Sequence, residues 1–278
     1  MPIQLSQALK QTLHEWQLDL PPSWLPMLKD VELGFNNCAQ NLELEYWEPI
    51  FPSRREAVFP GEPKGAHIFS AFDNISPNDV TCIILGQDPY PEPGFATGRA
   101  FEAGNIAEWR EMNKMFSKSM RVLTQQVCAS RTNNTNYARS FDDWPTLLSD
   151  IENKIFHFER PNKLVDTWVA QGVLLLNSSL TLSRFKRDVD IHQSHGHGPV
   201  WHPFIQTILS HFRDLKKPIV FMAFGDMAIE NFRVANINAE NMIQRPHPAF
   251  AEQTFAQENP FIVCNRHLAA NNQNEIKW

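Results

Sequence analysis

Apolar and polar positions along the chain fall into two rhythms. Four short runs read as buried strands: Val80 to Leu85, Val173 to Leu176, Ile219 to Phe224 and Asn241 to Gln244. Each leads into polar residues with chemical capability. These are Gly86-Gln87-Asp88, Asn177-Ser178-Ser179, Gly225-Asp226 and Arg245-Pro246-His247. Between the strands, apolar residues recur at helical spacing. Trp109, Met112, Met115, Phe116, Met120 and Leu123 predict a helix over Glu108 to Cys128, and Lys163 to Ala170 and Trp201 to Phe212 are similar. Leu5, Leu9, Leu13 and Trp16 predict an amphipathic N-terminal helix reaching Leu18. Such alternation predicts an α/β protein with a central, mostly parallel β-sheet flanked by helices, in a single domain. In that architecture ligands sit outside the carboxyl ends of the strands, so the four polar clusters are expected to converge on one edge.

Residues 1–48 read as an N-terminal helical segment packed on a domain of residues 49–278. Within that domain 49–65 is proline-rich and irregular, and 129–162, with its polar run around Asn133, Asn134 and Asn136, reads as a surface insertion. No repeat or low-complexity tract is present. The 278 residues are 42% hydrophobic and include 20 Phe, enough apolar material to exclude a disordered chain. No apolar run approaches the roughly 18 residues of a membrane span. The N-terminus shows no secretory pattern, and Cys38, Cys82, Cys128 and Cys264 form no CxxC pair. A cytoplasmic protein with buried thiols and no metal or disulfide framework is the expectation. With 25 Lys+Arg against 31 Asp+Glu, the net charge of −6 argues against a bulk polyelectrolyte binder, while leaving room for one local basic face on a nucleic-acid enzyme.

Residues 83 to 101, IILGQDPYPEPGFATGRAF, resemble the signature of the family 1 uracil-DNA glycosylases, with GQDPY and PGxAxGxxF in order after a strand. The similarity extends through IFSAF at 68 to 72, QGVLLLNSSLT at 171 to 181, IVFMAFGDMA at 219 to 228 and RPHP at 245 to 248. One motif alone would be only suggestive; five in the right order are specific. The resemblance implies a monofunctional, monomeric glycosylase of base excision repair. It acts on uracil-containing DNA, needs no cofactor or metal, and leaves an abasic site.

The chemistry of that reaction assigns the residues. The target base must be flipped out of the duplex. Breaking its glycosidic bond develops positive charge on the sugar and negative charge on uracil. Asp88 is the candidate anion beside the sugar, positioning water, and His247 is the candidate donor to uracil O2. Phe101 is expected to stack on the ring. Asn177 is expected to read the O4 and N3–H edge, and Tyr90 to exclude the thymine methyl. Gln87 and the backbone amides around it are expected to meet the remaining edge. Taken singly, each has a bland alternative: a turn aspartate, a core phenylalanine, a strand-ending asparagine, a structural histidine. Their joint occurrence favours the site.

The sequence departs from the family where DNA is gripped. Pro91 follows DPY in place of histidine. His247-Pro248-Ala249-Phe250-Ala251 lacks the family's phosphate-binding serine and wedge leucine, and the PPS loop is not recognisable in 103 to 118. Phe250 is a candidate substitute wedge. Arg184, Lys186, Arg187 and Arg245, with Arg99 and Arg266, are phosphate candidates. Two other readings remain. One is a relative that binds uracil or DNA with weak turnover or acts on another damaged base. The other is a metallohydrolase built on His192, His195, His197 and His202. The first is disfavoured by the joint presence of Asp88 and His247, the second by the absence of fixed helical ligand spacing.

Overall fold

The N-terminal segment folds as short pieces rather than one long helix. In this computed structural model, which describes residues 2–57, 59–115, 117–184, 191–215 and 217–278, β1 (Ile3–Gln4) leads into α1 (Leu5–Thr12). The predicted helix stops there because Glu15 adopts a left-handed conformation, φ 50°, before a 3-10 turn at Trp16–Asp19. The break places the Trp16 ring 5.7 Å from Phe69 and 5.4 Å from Phe204. After α2 (Leu25–Leu28), β2 (Glu43–Leu44) returns to pair antiparallel with β1.

The apolar runs form a four-stranded sheet: β3 (Cys82–Gly86), β4 (Val173–Asn177), β5 (Val220–Phe224) and β6 (Met242–Arg245). All its pairings are parallel and the order is β4-β3-β5-β6. Every residue of β3, β4 and β5 is buried, as expected of strands covered on both faces. Helices α3 (Ser119–Thr132), α4 (Trp144–Glu152), α5 (Pro161–Val169), α6 (Gly198–Asp214), α7 (Asp226–Val234), α8 (Ala251–Phe255) and α9 (Pro260–Ala270) supply the flanking layers.

The helix predicted over Glu108 to Cys128 is divided. A 3-10 stretch at Trp109–Lys114, closed by a capping box between Glu108 and Glu111, precedes α3. The Ser119 amide donates to Ser117 Oγ at the entry of α3, a local bond that competes with continuing the helix. The stretch 129–162 contributes Tyr137, Trp144 and Leu147 to the buried interior. All four cysteines are buried and unbridged. Among the described residues, no helix is long and apolar enough to cross a membrane.

Candidate active site

The parallel register sets up the site. Gly86 at the end of β3 lies opposite Asn177 at the end of β4, so the turn after one strand faces the last side chain of the other. A Cβ at Gly86 would come within 2.7 Å of Asn177 Oδ1 and 3.4 Å of Phe101, so the glycine is what lets both side chains close in. Beyond this edge lies a cavity of about 570 Å³, lined by residues that include Gln87, Asp88, Tyr90, Phe101, Asn177, His247 and Phe250. The volume suits a small ligand. All six predicted catalytic and uracil-pocket residues, and Phe250, therefore share one cavity.

Each side chain is held by a specific local device. Phe101 sits at φ 57°, a conformation that costs an L-residue about 1–2 kcal/mol, and its ring meets Phe224 edge-on at 5.2 Å. Strain of this kind is found where a side chain is aimed at a ligand. Asn177 is buried, and its amide nitrogen has no hydrogen-bond partner among the described residues. Tyr90 receives a hydrogen bond from Ser119 Oγ at 3.4 Å, and burial pushes its phenol up to about 12, so the ring remains neutral.

His247 follows β6. Gly225, at φ 93°, makes room for it: a Cβ there would lie 3.2 Å from His247 Cβ. The Ala249 amide donates to His247 Nδ1 at 3.2 Å. That bond makes Nδ1 the acceptor, which leaves Nε2 to carry the proton. Burial lowers the imidazole pKa, so the neutral form with an Nε2–H donor is favoured. The Asp88 carboxylate accepts from two amides: Gln87 Nε2 at 3.2 Å on Oδ2, and Gln193 Nε2 on Oδ1. Gln87 thus reaches Asp88 as well as lining the cavity.

The phosphate candidates are dispersed. Arg184 forms an ion pair with Glu48, Arg245 donates to the Glu258 carbonyl at 2.6 and 3.0 Å, and Arg266 pairs with Glu258. Arg99 lines the cavity with its charge engaged by Glu102 and Asp166. Lys186 and Arg187 lie outside the described residues. His192, His195 and His197 of the histidine cluster are engaged in hydrogen bonds. His197 is fully buried between Thr181 and Ser183, His192 bonds to Ser183, and His195 bonds to Ser194. Among the described residues, no group of three His, Cys, Asp or Glu side chains can hold a metal ion.

Two features escaped sequence reasoning. Ser117, Lys118 and Ser119 line the cavity, whereas the sequence pattern places them inside the helix predicted over Glu108 to Cys128. Gln193 contacts Asp88 across 105 positions of sequence.

No family model matches the sequence. The uracil-DNA glycosylase of Escherichia coli O7:K1 is 28% identical over 231 residues, covering 81% of this chain and 84% of that protein. That of Shigella dysenteriae serotype 1 is 27% identical over the same length. The chain is thus similar over most of its length to uracil-DNA glycosylases. Solved structures agree at the level of fold. The UNG of Nitratifractor salsuginis superposes with a TM-score of 0.60 at 22% identity, covering 94% of this chain and 96% of its own. Mimivirus uracil-DNA glycosylase gives 0.60 at 16% identity, covering 98% and 92%. Within this uracil-DNA glycosylase fold, Pro91, Ala249 and Phe250 all line the cavity, so the departures from the family motifs lie in the same cavity as its shared residues.

Proposed function

We propose that the protein hydrolyses the N-glycosidic bond of deoxyuridine in DNA, releasing free uracil and leaving an abasic site. The observation that carries this reading is the shared cavity of Asp88, His247, Phe101 and Asn177, with a buried amide donor left for a ligand. The flipped uracil stacks on Phe101. The Asn177 nitrogen donates to O4 and its carbonyl accepts from N3–H, the reverse of what cytosine presents. Tyr90 stands where a thymine methyl would project.

Bond breakage sends the N1–C1′ electron pair into uracil, where His247 Nε2–H stabilises the charge gathering on O2. The ionised Asp88 carboxylate stabilises the cationic sugar and orients water toward C1′. Water oxygen forms the new bond, its proton passes to Asp88 and then to solvent, and the departing uracil anion takes a proton from solvent. Phe250, 60% exposed at the rim, fills the vacated base stack. The protein acts as a cytoplasmic monomer on this reading. The test is an oligonucleotide carrying one deoxyuridine, treated with alkali after incubation. Cleavage at that position together with free uracil supports the proposal. An intact strand after incubation with folded protein refutes it.

A further inference from the structure

We infer that Gln193 is the positioning residue for the catalytic carboxylate, set in place by a π-helical turn that the N-terminal segment braces. The inference rests on the glycosylase reading of Asp88. Gln193 is buried, and its amide nitrogen donates to Asp88 Oδ1 while Gln87 donates to Oδ2. Among the described residues these two donors, one on each oxygen, fix the plane of the carboxylate as well as its place. Both amides are neutral. A lysine or arginine in the place of Gln193 would oppose the charge that the developing sugar cation requires, whereas an amide orients the carboxylate without adding a countercharge.

Gln193 opens the π-helical turn Gln193–His197 that runs into α6. Such turns carry an extra residue in a helix and recur at functional sites. This one is anchored on several sides. His197 is hydrogen-bonded to Thr181 Oγ1 at 2.8 Å and to Ser183 Oγ at 2.9 Å. The Ala39 amide donates to the His195 carbonyl at 2.8 Å. Leu5 of α1 packs so closely that a Cβ on Gly196 would lie 2.5 Å from its Cδ2. Residues far from the cavity thus hold the turn that holds Asp88. Loss of such orientation can cost about a hundredfold in rate.

The test compares single-turnover uracil release and substrate affinity for wild type, Gln193→Ala, Gln193→Glu, Asp88→Asn and the Asp88→Asn/Gln193→Ala double variant. Gln193→Ala is expected to lower the rate about 10- to 100-fold with DNA affinity unchanged. Gln193→Glu keeps the size but sets carboxylate against carboxylate, and is expected to lose more; it also stands in if Gln193→Ala does not fold. In the Asp88→Asn background, Gln193→Ala should add little, because the group it orients is gone. Fully additive losses, an affinity loss equal to the rate loss, or a fully active Gln193→Ala beside a crippled Asp88→Asn would overturn the inference alone. An Asp88→Asn protein as active as wild type would overturn the catalytic reading, and this inference with it.

Discussion

Leaving the Asn177 amide nitrogen buried, with no partner among the described residues, costs about 1–3 kcal/mol in the free protein. A bound carbonyl removes that cost, so the cavity is polarised toward a ligand that accepts at this point. Asn177→Ala should therefore lower uracil release more than tenfold without lowering the melting temperature. Near-normal rates would remove the residue from the pocket. On the proposed reading Tyr90 makes a complementary, steric contribution. Its neutral, partly buried ring leaves shape as its means of discrimination, and Tyr90→Ala should release thymine from thymine-containing DNA, read by chromatography of the free base. A variant still blind to thymine would mean another group excludes the methyl. The convergence of Asp88, Asn177 and His247 on one cavity was legible in sequence because each lies at or just past the carboxyl end of a strand, within a motif. What holds them was not legible. The Ala249 amide that sets the His247 tautomer and the Gln193 amide on Asp88 depend on local turns and long-range packing that no spacing encodes.

At the scale of elements, the end of β3 does the positioning. Gly86 pairs with Asn177 in the sheet register, and Gly86→Ala would drive a methyl to 2.7 Å from Asn177 Oδ1. The expected outcome is a folded protein with uracil affinity reduced at least tenfold, measured by titration with uracil-containing DNA. Unchanged affinity would show that the Asn177 orientation is not set by this contact. The strands were readable because buried parallel strands are near-continuous apolar runs bounded by polar residues. The helix predicted over Glu108 to Cys128 is divided because its periodicity continues in sequence across Lys114 to Lys118, where Ser117 captures the Ser119 amide and the chain turns. That turn is what brings Ser117, Lys118 and Ser119 to the cavity wall. The N-terminal helix was overextended for a similar reason: Trp16 keeps its helical spacing in sequence yet packs from a 3-10 turn.

The whole molecule carries a net charge of −6, so binding to DNA relies on local cations. Arg184 is committed to Glu48, so replacing Arg184, Lys186 and Arg187 together should flatten the salt dependence of DNA binding if that loop grips phosphate, and an unchanged slope would dismiss it. Stability should depend on acid through His197, whose burial lowers its pKa from 6.5 to about 3. The unfolded chain then binds the proton more readily. Stability is complete above the unfolded value and falls as pH drops toward the folded one, by at most about 1.4 kcal/mol per pH unit. Urea midpoints of wild type and His197→Asn at neutral pH and at about pH 5 should show the wild type losing more on acidification. Equal losses would place the sensitivity elsewhere.

The proposed reaction is glycosidic hydrolysis through Asp88 in the cavity at the sheet edge. Its most direct test is single-turnover release of uracil, from single- and double-stranded deoxyuridine oligonucleotides in excess chelator, by wild type and Asp88→Asn. Release by the wild type on at least one substrate, reduced at least a hundredfold in Asp88→Asn, is the predicted result. No uracil from a folded wild-type protein, or equal rates from the two, would contradict it.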